Sequence, residues 1–320
     1  MPSTNMDVLT DVLESIRVHG VVFGRLELSA PWGVRGGSGE GLGFLVLTRG
    51  SCWLELDGAD PIQLAGGDLV VLRKDRPHVF RDDRATPAVP MEDLLSSCPF
   101  RRDCQPGGVY TYGGGGAQTT VIGGRFDIEN AEQNPLITAL PPVIHVRGDR
   151  GTPVRWLEST LQFMASEMSS GQPGAETVVT RLADILFVQA VRAYLADGGE
   201  RRGWLSALVD PQIGAALALI HEKPESAWTV ESLAIEVGMS RSAFAARFAA
   251  LVCEPPLTYL TRWRMAKAER LLRGGQSSIG DVAGRVGYDA EAAFSKAFKR
   301  WTGQAPGAFR RAAQVPTTPV

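Results

Sequence analysis

Cysteine is scarce in this sequence, with four in 320 residues, and that scarcity excludes a disulfide-stapled scaffold. A reducing, cytoplasmic location is therefore expected. No apolar run approaches the roughly 20 residues that a membrane helix requires, so no membrane partner is expected. Met1 to Arg17 lacks the basic start and apolar core of a secretory signal. Charge of one sign is lacking too: 33 Lys+Arg face 35 Asp+Glu, a net charge of -2. Taken as a total, that balance argues against nucleic acid as a partner. What is present is ordinary globular composition, 44% hydrophobic and 21% charged, which excludes a wholly disordered chain. The length suggests two domains.

The first 150 residues read as β-rich. Val21 to Leu28, Phe44 to Leu47, Cys52 to Leu56, Leu69 to Leu72 and Thr119 to Phe126 are short runs of β-branched and aromatic residues. Gly, Pro and Asp clusters separate them, a spacing that predicts a sandwich or small barrel. An opening amphipathic helix, with Val8, Leu9, Val12, Leu13 and Ile16 on one side, is expected to pack against those strands. Near residue 150 the period changes. Leu157, Leu161, Met164 and Met168 form one helical stripe. Val178, Leu182, Ile185 and Leu186 form a second, so residues 151–203 read as a helical linker pair. Its apolar stripes suit dimerisation or packing on the strands. Asp197 to Gly203 is a polar, glycine-rich boundary, and 314–320 reads as a disordered tail.

From 204 to 313 the chain reads as helix, and it contains one pattern twice. Leu233 to Ser240, followed by Arg241 to Phe248, matches Val282 to Asp289, followed by Ala290 to Phe298. Ala234 corresponds to Ala283 and Gly238 to Gly287. After a one-residue insertion, Phe244 corresponds to Phe294, Phe248 to Phe298 and Pro256 to Pro306. Each copy has the chemistry of a helix-turn-helix. A small Ala lets a second helix cross closely, a Gly takes the left-handed conformation of the turn, and Ser240 or Asp289 caps the second helix. The Phe pairs at i,i+4 bury one face and leave the other outward for a major groove. The copies fall at about 229–252 and 278–301. Pro256 to Arg273 between them is a basic helix of about 18 residues, roughly 27 Å long, which suits two recognition helices near one DNA turn apart.

The near-neutral total also divides unevenly. Residues 204–320 hold 14 basic and 10 acidic residues, a balance of +4, which leaves -6 for the remainder. The cations gather where the repeat places a DNA face.

On these residues the segment 205–312 resembles the DNA-binding domain of the AraC/XylS transcription regulators, and Val282 to Pro306 follows that family's signature nearly position for position. Residues 7–147 resemble the cupin-type domain of one subgroup. That likeness rests on Phe23 to Trp32, Gly67-Asp68-Leu69, Pro77-His78 and Asn134 to His145. The resemblance implies an α+β multidomain chain: a cupin-like β-barrel sensor in 1–150, the helix pair, and an all-α double helix-turn-helix domain in 204–313. It implies base or phosphate contacts at Arg241, Ser242, Ala245 and Ala246 in the first copy, and at Glu291, Ala292, Ser295 and Lys296 in the second. Ala245 and Ala246 can touch a thymine methyl but cannot hydrogen-bond a guanine edge. Lys296, with Arg247 and Lys299, is therefore expected to carry more of the affinity. Double-stranded promoter DNA, a second copy of the chain and, for an activator, RNA polymerase are the implied partners.

Two features bear on what the first domain senses. Cupin folds often hold a metal, but Gly43-Phe44-Leu45-Val46-Leu47 offers none of the ligands of a first cupin motif. A lone His78 cannot build a site that needs about three protein ligands. No metal, cofactor or catalytic residue is expected, and a cupin enzyme with a helical appendage is the rival reading. His78 reads as a hydrogen-bonded strand-end residue or as part of an effector pocket. Cys98 and Cys104 flank Arg101 and Arg102, cations that favour a reactive thiolate. Thiol oxidation there is one expected signal. A small apolar effector in the barrel is the alternative, and two cysteines without a regulatory task are the plain one. Gly113 to Gly116 lacks the Lys-Ser/Thr of a phosphate loop and reads as a flexible connection. Cys52 and Cys253 read as packing.

Overall fold

The computed structural model describes residues 8–15, 18–37, 41–73, 75–96, 108–128, 135–148, 154–196, 204–275 and 277–314. The chain divides into two compact units, Arg17–Glu200 and a second made of Met1–Ile16 with Arg201–Val320.

The first unit is built on two sheets. One is six-stranded, in the order β11-β6-β3-β10-β1-β9, from Val143–Val146, Leu69–Arg73, Leu42–Arg49, Gln118–Ile128, Val18–Ser29 and Gly108–Gly113. The other is five-stranded, in the order β5-β4-β7-β2-β8, from Ile62–Ala65, Ser51–Leu56, His78–Arg81, Gly33–Gly36 and Val89–Pro90. The expected barrel is thus two sheets enclosing a core that includes Leu28, Trp32, Leu54, Leu64 and Val70. All five runs read as strands lie within strands. The four-residue strands β2, β5, β7 and β11 are too short for alternation to announce them.

Alternation is clean in β4, where Cys52, Leu54 and Leu56 face inward and their neighbours are more exposed. β3 and β10 are instead buried nearly throughout, because a helix covers their outer face. The two expected helices are α4 (Val154–Ser170) and α5 (Ala175–Ala196). α5 packs on β1 and β11, with Leu186 and Phe187 fully buried. Phe126 of β10 stacks on Phe44 at 4.8 Å and meets Phe187 at 5.1 Å. Each such ring stabilises the fold by roughly 1.5–3 kcal/mol through burial alone.

The glycine run 113–116 departs from the flexible connection expected of it. Gly114 and Gly116 donate their N–H groups to the Ser29 and Ala30 carbonyls at 2.9 and 2.8 Å, and Gly115 donates to Ser29 Oγ at 3.0 Å. A Cβ at Gly113 would overlap the Ser29 carbonyl oxygen, so the run is a turn pressed against β1. Asp68 is buried and accepts from Ala65 N, Gly148 N and His145 Nε2 at 3.0, 2.7 and 2.9 Å. Burial pushes its carboxyl up, but these donors outweigh burial and hold it below the usual carboxylate range. Asp68 therefore ties β6 to the chain leaving β11.

The second unit is all helix: α6 (Trp204–Val209), α7 (Pro211–Glu222), α8 (Val230–Glu236), α9 (Arg241–Val252), α10 (Pro256–Arg273), α11 (Ile279–Arg285), α12 (Glu291–Thr302) and α13 (Pro306–Gln314). It also contains α1 (Val8–Ser15), which corrects the expectation that the opening helix packs on the strands. α1 packs on α7 and α10 and buries Val8 and Val12. An apolar stripe shows that a helix face is covered but not by what.

A buried polar chain fastens this helix. Trp204 Nε1–H donates to Tyr259 Oη at 3.3 Å, and Tyr259 lies 2.7 Å from His221 Nε2. The hydroxyl has one hydrogen, which goes to Nε2, so Nδ1 carries the imidazole proton and donates to Asp11 Oδ2 at 3.3 Å. Trp263 stacks on the imidazole at 3.9 Å between centroids. The resulting chain of groups is satisfied with His221 neutral.

Candidate nucleic-acid interface and sensor cavity

Both helix-turn-helix copies take the expected geometry. α8 and α11 each begin with a capping box, Thr229 with Ser232 and Ser278 with Asp281. Ala234 and Ala283 are each 1% exposed at the helix crossings. Gly238 and Gly287 have φ of 67° and 79°, the left-handed turn that a side chain would strain. Phe244, Phe248, Phe294 and Phe298 are fully buried, with ring centroids 5.6 Å apart within each pair.

The copies differ at their caps. Ser240 caps α9, accepting from Ala243 N at 3.3 Å. Asp289 does not cap α12, which corrects the expectation; its N-cap is Ala290, with no side-chain bond. The one-residue insertion moves the start of α12 past the aspartate. At the other end, Cys253 and Gly303 occupy equivalent left-handed C-caps, with φ of 63° and 77°. Cys253 is exposed, so it is a strained cap and not the packing residue expected. Replacing it by glycine is expected to stabilise the second unit by about 1 kcal/mol, read as a higher urea midpoint with an unchanged slope.

Most residues assigned to DNA stand on the outward faces. Arg241, Ser242, Ala246 and Arg247 of α9 are exposed and Ala245 is half-buried. Glu291, Ala292, Lys296 and Lys299 of α12 are exposed and Ser295 is half-buried. The cations are not equivalent, however. Arg247 Nη2 and Nε lie 2.6 and 3.0 Å from Asp210 Oδ2, and Asp210 is also the N-cap of α7. Burial raises the Asp210 carboxyl, but the cap N–H groups and Arg247 hold it below its usual range, so Asp210 is ionised beside the guanidinium. Lys296, Lys299 and Arg300 form no ion pair with any described residue and face solvent.

α10 spans Pro256–Arg273, the bounds expected of the helix between the copies. Tyr259, Leu260, Trp263, Met265, Ala268 and Leu272 are buried, making it the spine between the copies. Arg262 binds Glu254 through two nitrogens, and Arg264 donates to the Pro224 and Ser226 carbonyls at 2.7 and 2.8 Å. These cations hold the unit together. His221 and Tyr259, by contrast, carried no sequence signal, since their partner in α1 lies 210 residues away.

In the first unit, His78 opens β7, is buried, and places Nδ1 3.2 Å from the Arg76 carbonyl oxygen. It also lines a cavity of about 240 Å³ between the two sheets, closed on one side by α2 (Met91–Ser96). Cys98, Cys104 and the arginines between them lie outside the described residues, as do 197–203 and 315–320. Among the described residues, no three His, Cys, Asp or Glu side chains group to hold a metal, and no helix is long and apolar enough to cross a membrane.

Comparison with known proteins agrees with this geometry. Residues 7–196 match the family model described as Cupin, and residues 233–312 match one described as Helix-turn-helix domain. A Streptomyces lividans protein named as an AraC-like transcription regulator is 35% identical over 315 residues, covering 97% of this chain and 100% of the relative. The HTH-type transcriptional regulator AlkR of Acinetobacter baylyi is 32% identical over 307 residues, covering 96% and 99%. A solved structure of the AdpA DNA-binding domain with a target DNA is 34% identical, covers 34% of this chain and 99% of that one, and has a TM-score of 0.32. With a cupin domain, a duplicated helix-turn-helix and relatives matching from end to end, the chain belongs to the AraC-like transcription regulators.

Proposed function

We propose that this regulator reads promoter DNA in a sequence-specific manner through α9 and α12, and that the cupin unit sets how they are presented. One observation carries the reading: two helix-turn-helix copies in one unit, each with its recognition helix anchored by a buried Phe pair and its opposite face exposed. α12 supplies most of the cationic contact, because Lys296, Lys299 and Arg300 face solvent while Arg247 is held by Asp210. α9, with Ala245 and Ala246 beside Arg241 and Ser242, reads shape and thymine methyls.

The test compares the wild type with Lys296→Ala and Arg247→Ala on a footprinted operator at matched salt. Lys296→Ala is expected to weaken binding about tenfold and to reduce the salt slope by about one unit. Arg247→Ala is expected to act mainly on the stability of the second unit. Equal operator affinity of Lys296→Ala and wild type would remove α12 from the contact.

The signal enters the cupin unit as a small molecule in the cavity beside His78. The cavity is the observation behind this reading; thiol oxidation at Cys98 and Cys104, the other expected signal, lies outside the described residues. A homodimer joined through α4 and α5 fits the half-exposed Phe163 and Ile185, which stand 50% and 47% exposed. Ligand binding then shifts how the recognition helices of the two copies are presented.

A further inference from the structure

We infer that Arg264 is a positioning residue that locks the second helix-turn-helix copy against the first, and so sets the spacing of the two major grooves that α9 and α12 read together. The inference rests on the reading of this unit as a double DNA reader and names the residue that fixes its geometry.

The two copies meet on α10. Its first half serves the first copy, where Tyr259 meets Phe248 of α9 edge to face at 5.8 Å. Its second half serves the other, where Met265, Ala268 and Leu272 pack with Val282, Phe294 and Phe298. Arg264 stands between these halves and is half-buried. Apolar burial is non-directional, whereas hydrogen bonds to fixed carbonyls define an angle.

Those bonds reach the loop that opens the first copy. Arg264 Nε donates to the Pro224 carbonyl at 2.7 Å and Nη2 to the Ser226 carbonyl at 2.8 Å. The loop is closed on itself, because Ser226 N and Trp228 Nε1 both donate to the Lys223 carbonyl, at 3.1 and 2.9 Å. It runs directly into Thr229, the N-cap of α8.

The same guanidinium carries the turn of the second copy. A Cβ on Gly287 would stand 2.6 Å from Arg264 Nη2, and 2.8 Å from both Cζ and the Glu225 carbonyl oxygen. The turn is thus pressed onto the guanidinium and the loop at once. Gly238, its counterpart in the first copy, is also left-handed but has nothing within 4 Å of such a Cβ. The turn conformation alone therefore does not account for the contact at Gly287. Beside it, the Tyr288 ring lies 5.9 Å from Arg264 Cζ and meets Phe294 of α12 edge to face at 5.8 Å. One planar cation joins the entry of α8 to the entry of α12. A lysine, a point charge without a plane or a fixed fork of donors, does not reproduce that joint.

One base pair added between two half-sites moves the second groove by about 3.4 Å and turns it by roughly 35°. A locked unit does not follow that change, and a loosened one does. The full chain is used to select its tightest duplex from a random pool. Affinity is then measured on that duplex and on copies with one base pair added or removed between the two major grooves the protein protects. Wild type is expected to bind either altered copy at least about tenfold more weakly. Arg264→Gln and Arg264→Lys are expected to bind the selected duplex about tenfold more weakly, yet to lose only about threefold more on the altered copies. The salt slope of Arg264→Gln is expected to match wild type, since the guanidinium spends its donors on carbonyls and not on phosphate. Urea unfolding shows which variants are folded, and Arg264→Lys decides the matter if the glutamine variant is not. Equal spacing penalties in wild type and folded variants would make Arg264 a stabilising residue only, and a slope reduced by about one unit would make it a phosphate contact. Either result, or a wild type indifferent to spacing, would overturn the assignment. A wild type that selects no duplex would instead remove the DNA reading on which it rests.

Discussion

Phe298→Ala is expected to lower the stability of the second unit by about 3–5 kcal/mol and to abolish operator binding, while the cupin unit stays folded. Phe298 is fully buried and lies in one cluster with Met265, Leu272, Val282, Val286 and Phe294. Its ring meets Phe294 at 5.6 Å and Phe309 at 5.3 Å, the latter edge to face, so truncation removes two aromatic contacts as well as buried area. The ring joins α12 to both α10 and α13. A domain of this size is stable by only about 5–15 kcal/mol, so the loss is a large share of the whole. The check is urea unfolding followed at two probes. The fluorescence of Trp301 on α12 is expected to report an early transition, and the near-ultraviolet signal of the buried Trp32 an unchanged one. Coincident wild-type-like transitions would show that the two Phe pairs do not anchor the recognition helices.

His221→Ala carries the second large effect, a loss of about 3 kcal/mol in the second unit together with its pH dependence. The substitution leaves a hole beside Trp263 and strands the Tyr259 hydroxyl and the Asp11 carboxylate. Burial pulls the imidazole below its ordinary value of 6.5, with Asp11 opposing and the positive charges of Arg262 and Lys267 adding to the fall. The folded state therefore favours neutral His221. Its contribution is fully present above pH 6.5 and declines as pH falls below that, where the unfolded chain binds a proton that the folded chain resists. Wild-type protein is expected to lose stability between pH 7 and pH 5.5 in urea titrations. The alanine variant is expected to show a flatter profile over that window, and an unchanged slope would show that His221 does not govern it.

The sequence announced some of these parts because their physics is local. Gly238 and Gly287 are legible because a tight turn between helices needs a left-handed residue. The Phe pairs are legible because i,i+4 spacing and a second copy in register leave few other uses for them. Other parts depend on distant neighbours. Charge on α10 looks like a DNA face until Glu254 and the Pro224 carbonyl appear beside Arg262 and Arg264. Arg247 counts as a free cation until Asp210 is folded against it. The cap of α12 falls one residue from the aspartate that looked suited to it. The cavity was hidden for another reason. A glycine in a strand reads as a bulge or weak point, and only the pairing of Gly24 with Gly123 turns two absent side chains into a floor.

The place of α1 also has a consequence for how the protein is made. Asp11 leaves the ribosome 210 residues before its partner His221. At roughly 5–20 residues per second, the first helix waits on the order of ten to forty seconds for the groove it will cover. The whole cupin unit is synthesised in that interval, and domains generally fold as they emerge. The helix-turn-helix unit thus reaches its final form only after the cupin unit exists, and a fragment beginning at residue 201 would be made without the helix that covers its imidazole.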